Sequence, residues 1–173
     1  LLSGADATEA MVKRAVVGRR VIHLATHGFV VGSDCGRPAT NTRSVGGVVA
    51  ANGPSLGRNP LLLSGLAFAG ANQRHTGDDD DGILTAQEIA SLDLRGTEWA
   101  VLSACDTVLG EIRSGEGVLG LRRAFQIAGA HTVIMSLWGV DDRATRRWMQ
   151  ALYDARLTRG LDTADAVRAA SLT

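Results

Sequence analysis

The sequence has few aromatic residues, few cysteines and no excess of either charge. Only 4% of its 173 residues are aromatic, two are cysteines, and 18 Lys and Arg balance 18 Asp and Glu. Balanced charge argues against binding to nucleic acid or a membrane through an overall electrostatic field, so we expect neither as a direct partner. No apolar run approaches the roughly 18 residues that a membrane-spanning helix needs.

The two cysteines do not form a disulfide framework pattern. Cys35 and Cys105 lie in different sequence contexts, and neither belongs to a CxxC pair. This usage favours a reducing compartment, and we therefore expect a cytoplasmic protein.

What the sequence does contain is enough apolar mass for one core. Hydrophobic residues make up 45% of the 173 residues, and most of them are Ala, Val and Leu. This composition suits a sheet covered by helices, and the length is that of one domain. We therefore predict a single domain over residues 1–173.

Strand-like and helix-like segments alternate along the chain. Thr85 is a good N-cap, and Glu88 three residues later completes a capping box. Residues 28–59 are rich in Gly, Ser, Asn and Arg and predict a functional loop or a partly ordered insertion. The alternation predicts an α/β fold with a mostly parallel sheet. Strands are predicted over 21–26, within 60–71, and over 99–104 and 131–137, and helices over 8–16, 85–91, 117–128, 143–157 and 163–170.

Two of the predicted strands end at a reactive side chain. Residues 21–27 read VIHLATH and stop at His27, and residues 100–105 read AVLSAC and stop at Cys105. Ligands of open α/β sheets collect at the carboxyl ends of strands. Two adjacent strand ends would place the imidazole beside the thiol, and such a pair is a base with its nucleophile. The first hypothesis is therefore a cysteine peptidase with a His27–Cys105 dyad.

The residues that follow the dyad suggest how a substrate would be held. The backbone N–H groups of Gly28 and Cys105 are the natural oxyanion donors, and Gly28 has no Cβ to obstruct a substrate backbone. Asp106 either lines the pocket for the substrate side chain, where it would select a basic residue, or orders a turn. Asp34, in the loop after His27, is a weaker alternative as the pocket acid.

Five segments resemble the CHAT family of caspase-like cysteine peptidases, which are related to caspases and separases. The resemblance implies a caspase–haemoglobinase fold, with helices on both faces of a mostly parallel sheet, and peptide-bond hydrolysis without a cofactor or metal. It implies His27 as the base and Cys105 as the nucleophile, acting on a protein or peptide substrate. The segments are ATHG (25–28), DGILTAQEIASLDL (81–94), LSACDT (102–107), GEGVLGLRRAFQIAGA (115–130) and SLWGVDD (136–142).

The family pattern also implies segments that this sequence does not contain. CHAT domains usually begin with a further strand before the segment matching Thr8, and they usually continue beyond Ala170 to a closing strand. We therefore expect a domain truncated at both ends. The family is often preceded by tetratricopeptide repeats, which makes a helical-repeat regulatory region a candidate partner.

Other readings of the sequence stay open. A CHAT-like domain can act as a silent regulatory or interaction module. Residues 79–88 resemble part of an EF-hand loop, but Gly77 stands where its first carboxylate belongs. Residues 115–120 spell GxGxxG, with Asp141 near the position of a ribose-binding acid, yet ten residues separate the motif from the preceding predicted strand. Four further residues are interpreted as structural or solvated: His23, His75, His131 and Cys35.

Overall fold

The computed structural model describes residues 1–30, 61, 64–73, 80–103, 116–136 and 140–172. The chain divides into two compact units, Leu1–Trp138 and Gly139–Thr173. Within the described residues no helix is both long enough and apolar enough to cross a membrane. The expectation of a single domain stays a prediction.

The first unit begins with a 3₁₀ turn at Gly4–Asp6 and then alternates helices and strands. In chain order its elements are α1 (Glu9–Val16), β1 (Val21–Leu24), β2 (His27–Val30), β3 (Ser64–Ala67), β4 (Ile83–Thr85), α2 (Ala86–Ala90), β5 (Trp99–Leu102), α3 (Glu116–Ile127) and β6 (Thr132–Met135).

A parallel sheet of order β1-β5-β6 forms the centre of this unit. All four residues of β5 are buried, as expected for the middle strand of a parallel sheet. Ile22 and Leu24 of β1 share a face with their β5 partners, and that face packs into one apolar core with residues of α1, α2 and α3. The prediction of an α/β fold with a parallel sheet flanked by helices is therefore confirmed.

A second sheet, antiparallel and of order β2-β3-β4, was not predicted. Residues 28–30 belong to β2 rather than to a loop, and Ile83–Thr85 forms a strand directly before α2. Leu66 and Leu84 are register partners whose side chains are almost completely buried in the core. Each such burial contributes about 2 kcal/mol, so the second sheet is part of the same folded unit.

Local capping explains where α1 and α2 begin. The Thr8 hydroxyl accepts a hydrogen bond from the Met11 N–H at 3.3 Å. Thr85 and Glu88 form the complete reciprocal capping box, as the sequence predicts. Helix α1 has a second acceptor from a distant loop, because the Ala10 N–H donates to the Asp80 carboxylate at 2.9 Å.

The second unit is a pair of helices. Helix α4 (Asp142–Tyr153) continues into a π-helical turn (Asp154–Thr158), and α5 (Thr163–Ser171) follows. Asp141 and Asp162 cap the two helices through their side chains. The indole N–H of Trp148 in α4 donates to the Ser171 hydroxyl at 3.2 Å, which fastens one helix to the other.

Candidate functional site

The carboxyl ends of β1 and β5 are neighbours in the parallel sheet. Leu24 and Leu102 are register partners, and the Ser103 N–H donates to the Leu24 carbonyl oxygen at 2.9 Å. His27 follows Leu24 by three residues, and Cys105 follows Leu102 by the same interval. Cys105 itself lies outside the described residues. Strands β1 and β5 therefore end side by side at one edge of the sheet, and the residues of the predicted dyad follow these strand ends in the sequence.

The structure corrects the local setting of His27. Strand β1 ends at Leu24, and His27 is the first residue of β2 rather than the end of a longer β1. The chain changes sheets across Ala25 and Thr26, because β2 pairs with β3 and not with β5. His27 is the register partner of Ala67, and its side chain is exposed. His27 is therefore held in the antiparallel sheet, two residues after the end of β1, and its side chain is accessible.

The backbone of Gly28 faces away from β3. The Phe68 N–H donates to the Gly82 carbonyl oxygen at 2.7 Å, which identifies the residues of β3 whose backbone groups point toward β4. Backbone groups alternate along a strand, so those of Ala67 point toward His27. By the same alternation Gly28, opposite Leu66, directs its N–H away from β3.

Gly28 is buried, and its Cα lies on the side of the sheet that holds Leu66 and Leu84. The proposed roles of Gly28 as an oxyanion donor and as a point of close substrate approach stay predictions.

The rest of the site as predicted lies outside the described residues. This applies to Asp106 and Asp34, the two candidate pocket acids, and to Cys35 and His75. Of the two other histidines, His23 lies on the face of β1 opposite Ile22 and Leu24. Burial lowers the pKa of His23 and favours its neutral form. His131 donates its backbone N–H to Thr97 at 2.9 Å, before β6 begins.

A family comparison agrees with the resemblance drawn from the motifs. The CHAT domain model matches residues 1–173. The chain belongs to the CHAT domain family. Among curated proteins it is similar to Tetratricopeptide repeat protein 28 of Homo sapiens, with 28% identity over 173 positions, 96% of this chain and 7% of that protein. The chain thus spans a small fraction of that relative's length. No solved structure gives a significant match.

In this CHAT domain a three-residue ionic network joins α1 and α2. The Lys13 ammonium lies 2.5 Å from a Glu9 carboxylate oxygen and 2.7 Å from a Glu88 oxygen. The other Glu9 oxygen accepts the Gly82 N–H at 3.0 Å, and the other Glu88 oxygen accepts the Thr85 N–H at 2.9 Å. Sequence reasoning found the Glu88–Thr85 contact but missed the network, because Glu9 meets Gly82 over 73 residues and Lys13 meets Glu88 over 75.

The two carboxyl groups of this network respond differently to it. Burial raises the pKa of Glu9 above its ordinary value, even though Lys13 opposes the shift. Burial would raise the pKa of Glu88 too, but hydrogen bonds from Lys13 and Thr85 outweigh it and lower that pKa. Burial would lower the Lys13 pKa, yet its hydrogen bonds to Glu88 and Glu9 raise it. Lys13 is therefore charged at neutral pH and balances the buried carboxylate.

The residues of the EF-hand-like segment have other roles in the described structure. The Glu88 carboxylate, which would be the last ligand, bonds Lys13 and Thr85. Asp80 accepts the Ala10 N–H, and Asp81 accepts the Ile83 N–H at 2.9 Å. The segment before this loop contains strand β3, where an EF-hand would have a helix. Among the residues that the structure describes, no cluster of three metal-ligating side chains is found.

The GxGxxG segment does not sit in a dinucleotide-binding context. Strand β5 ends at Leu102 and α3 begins at Glu116, so the motif does not follow its strand directly. Asp141 caps α4 by accepting the Ala144 N–H at 3.0 Å. That acid has a structural role at the start of its own helix.

Proposed function

We propose that this CHAT domain is a cysteine endopeptidase with a caspase–haemoglobinase fold and helices on both faces of its sheet. His27 acts as the base and Cys105 as the nucleophile. The observation that carries the proposal is the parallel register of Leu24 and Leu102. Because each reactive residue follows one of these partners by the same interval, both chain segments leave the sheet at one edge, where α/β enzymes bind their ligands.

The reaction follows from the chemistry of the two groups. A free thiol has a pKa near 8.5, so only a few per cent is thiolate at neutral pH, and the His27 imidazole takes the proton to raise that share. The Cys105 thiolate attacks the carbonyl carbon of the scissile bond. The protonated imidazole then gives its proton to the departing amine, which leaves an acyl thioester. Water, activated by neutral His27, hydrolyses the thioester and restores the thiol.

The oxyanion of the tetrahedral intermediate is held by the N–H groups of Gly28 and Cys105. The direction of the Gly28 backbone, away from β3, supports this role. One such donor typically contributes about 3–4 kcal/mol to the transition state. The donor is fixed in a strand before substrate arrives, so little reorganisation is required during the reaction.

The substrate is a protein or peptide in the cytoplasm, and a helical-repeat region is the proposed regulatory partner. The family membership supports the first, and the printed name of the human relative supports the second. Asp106, or else Asp34, contributes to the pocket that receives the substrate side chain.

A second candidate is a CHAT domain that binds a partner without turnover. The human relative favours it to the extent that its name describes repeats and no peptidase activity. The presence of both His27 and Cys105 in this sequence favours the enzyme. The two candidates differ in the reactivity of one thiol.

Thiol alkylation with iodoacetamide separates the two candidates, with Cys35 as the internal reference. Peptide mapping should show that Cys105 reacts faster than Cys35 between pH 6 and about 7.5, where an unassisted thiol is mostly protonated. His27→Ala should remove the excess, whereas His131→Ala, the matched control, should not. Equal reactivity of both cysteines in the wild type would favour the silent module.

A further inference from the structure

The corner that carries His27 is tied to β3 by a side chain outside the proposed dyad. The Thr26 hydroxyl donates a hydrogen bond to the carbonyl oxygen of Ala67. Ala67 is also the register partner of His27 in the antiparallel pair of β2 and β3. The residue before the histidine and the histidine itself are thus held against the same residue of β3.

This contact lies in the link between the two sheets, whose residues belong to neither of them. Strand β1 ends at Leu24 and β2 begins at His27, so only Ala25 and Thr26 connect two different sheets. A change in the backbone of this link would rotate the first residue of β2. The hydrogen bond of the Thr26 hydroxyl ties this link to β3, and its partly buried position limits competition from water.

The acceptor side of the contact is itself well fixed. The Phe68 N–H donates to Gly82 at 2.7 Å, and the Ala69 N–H donates to Ala7 at 2.9 Å. The residues directly after Ala67 are therefore hydrogen-bonded to the residue before β4 and to the segment before α1. The Thr26 hydroxyl therefore bonds to a residue of β3 that lies between two paired strands.

We infer that Thr26 is a positioning residue for His27, holding the imidazole in the direction that the proposed reaction requires. The inference rests on the proposed function, since the effect on rate presupposes the dyad. The effect of Thr26 on the position of His27, by contrast, does not depend on the dyad and can be measured without activity. Misplacement of a reacting group by about 1 Å can cost on the order of 10²-fold in rate.

The variants that test this differ by single groups. Thr26→Val keeps the branched shape but cannot donate, and Thr26→Ser keeps the hydroxyl. Thr97→Val is the matched control, because the Thr97 hydroxyl donates to the Arg19 carbonyl at 2.8 Å at the amino end of β5, away from the strand ends that precede His27 and Cys105. All three variants are compared with the wild type by thermal unfolding before any rate is interpreted.

We expect Thr26→Val to lower kcat and the Cys105 alkylation rate by about 10- to 100-fold, with KM nearly unchanged. Thr26→Ser should restore most of both rates. Thr97→Val should retain both rates even where it lowers the melting temperature. Wild-type kcat and alkylation rate in Thr26→Val, or an equal loss in Thr97→Val, would overturn the inference.

A measurement independent of activity separates this inference from the proposed function. His27 and Ala67 form a hydrogen-bonded antiparallel pair, in which Cα atoms lie about 5.5 Å apart. Their side chains should therefore give a nuclear Overhauser effect. We expect this effect to weaken in Thr26→Val and to persist in Thr26→Ser and Thr97→Val. If it is unchanged in Thr26→Val, the positioning role is wrong whatever the enzyme does. If wild-type Cys105 shows no enhanced reactivity but the effect weakens as expected, the peptidase proposal fails and the positioning of His27 by Thr26 stands.

Discussion

Leu24 and Leu102 are register partners at the carboxyl ends of two adjacent parallel strands, and the next residue of β5, Ser103, still bonds back to Leu24. Strands β1 and β5 are thus hydrogen-bonded to each other up to their carboxyl ends. What differs is where they go next. The chain after Leu24 enters the antiparallel sheet at His27. The base of the proposed dyad is therefore positioned by a sheet that the nucleophile's strand does not belong to.

The first prediction concerns the dyad itself. Cys105→Ala and His27→Ala should each lower peptidase kcat by on the order of 10³-fold or more, and the double variant should be little worse, because the two groups act as a unit. Turnover of a denatured protein or a peptide library is measured with each variant. The melting temperature should change little for His27→Ala, since this side chain is exposed.

Cys35→Ser is the control for the dyad variants. Cys35 has no predicted base and should be close to neutral for turnover. More than about a tenth of wild-type turnover in either dyad variant, a loss of only about 1.4 kcal/mol, would contradict the assignment. Inactivation by alkylation at Cys35 would show that the wrong cysteine was chosen.

The sequence predicted those elements whose pattern is local. Thr85 and Glu88 predict the start of α2 because a capping box is built from residues three apart. The buried strand β5 is predicted by its apolar run. Strand β2 was missed because it has only four residues, one of them Gly28, and it runs directly into a long segment rich in Gly, Ser, Asn and Arg. Strand β4 was missed because it has three residues, too few to show alternation, and the last of them is the helix cap Thr85.

The contacts of α1 with α2 and with the loop before β4 are less predictable because they join distant segments. Lys13 and Glu88 are 75 residues apart, and Asp80 lies 70 residues from the N–H that it accepts. No local pattern indicates which segment of the fold an aspartate or lysine will meet. The neighbouring position of β1 and β5 was easier to anticipate, because it depends on strand order alone, which parallel topology restricts.

The second prediction concerns the aspartate run at 78–81. Because Asp80 accepts the Ala10 N–H in the first turn of α1, Asp80→Ala should lower the free energy of unfolding by about 0.5–1 kcal/mol. Asp80→Asn keeps the acceptor oxygen and should lose less. Urea unfolding measures both. Equal losses in the two variants would mean that charge, and not the hydrogen bond, is what Asp80 contributes.

The third prediction concerns the pH dependence of stability, to which the two carboxyl groups paired with Lys13 contribute with opposite signs. The folded-state pKa of Glu88 lies below its ordinary value of 4.5, so its contribution to stability is present above about that pH and is lost as pH falls through the folded pKa. The folded-state pKa of Glu9 lies above 4.5, so its contribution falls as pH rises from 4.5 through the folded pKa.

Urea unfolding between about pH 3 and 7 tests these signs with Glu9→Gln and Glu88→Gln, because the change at Glu88 lies below pH 4.5 and the change at Glu9 above it. The stability difference between wild type and Glu88→Gln should grow as pH rises, and the difference for Glu9→Gln should shrink. Parallel curves for wild type and a variant would mean that the corresponding carboxyl has the same pKa in the folded and unfolded states.

The fourth prediction concerns Gly82, where β4 is about to begin. Its φ is +78°, and a Cβ would lie 2.3 Å from the Ala71 nitrogen. Gly18 has a similar φ of +72° but open space around it. Gly18→Ala should cost about 1–2 kcal/mol for the left-handed backbone alone, and Gly82→Ala should cost clearly more because the clash is with backbone. Comparable losses in the two variants would show that the 70–71 turn moves aside at little cost.

The last prediction concerns substrate choice. Asp106 directly follows the proposed nucleophile in the sequence, and its side chain either orders a turn or lines the proposed substrate pocket. A carboxylate there would form a charge-assisted contact with a basic residue on the acyl side of the scissile bond. We therefore expect Asp106→Asn to lower kcat/KM for Arg and Lys substrates by about tenfold or more and to spare neutral ones. Profiling a peptide library with wild type, Asp106→Asn and Asp34→Asn measures this. A shift in preference with Asp34→Asn alone would assign the pocket to the loop after His27, and a uniform loss across substrates in Asp106→Asn would make Asp106 a turn residue.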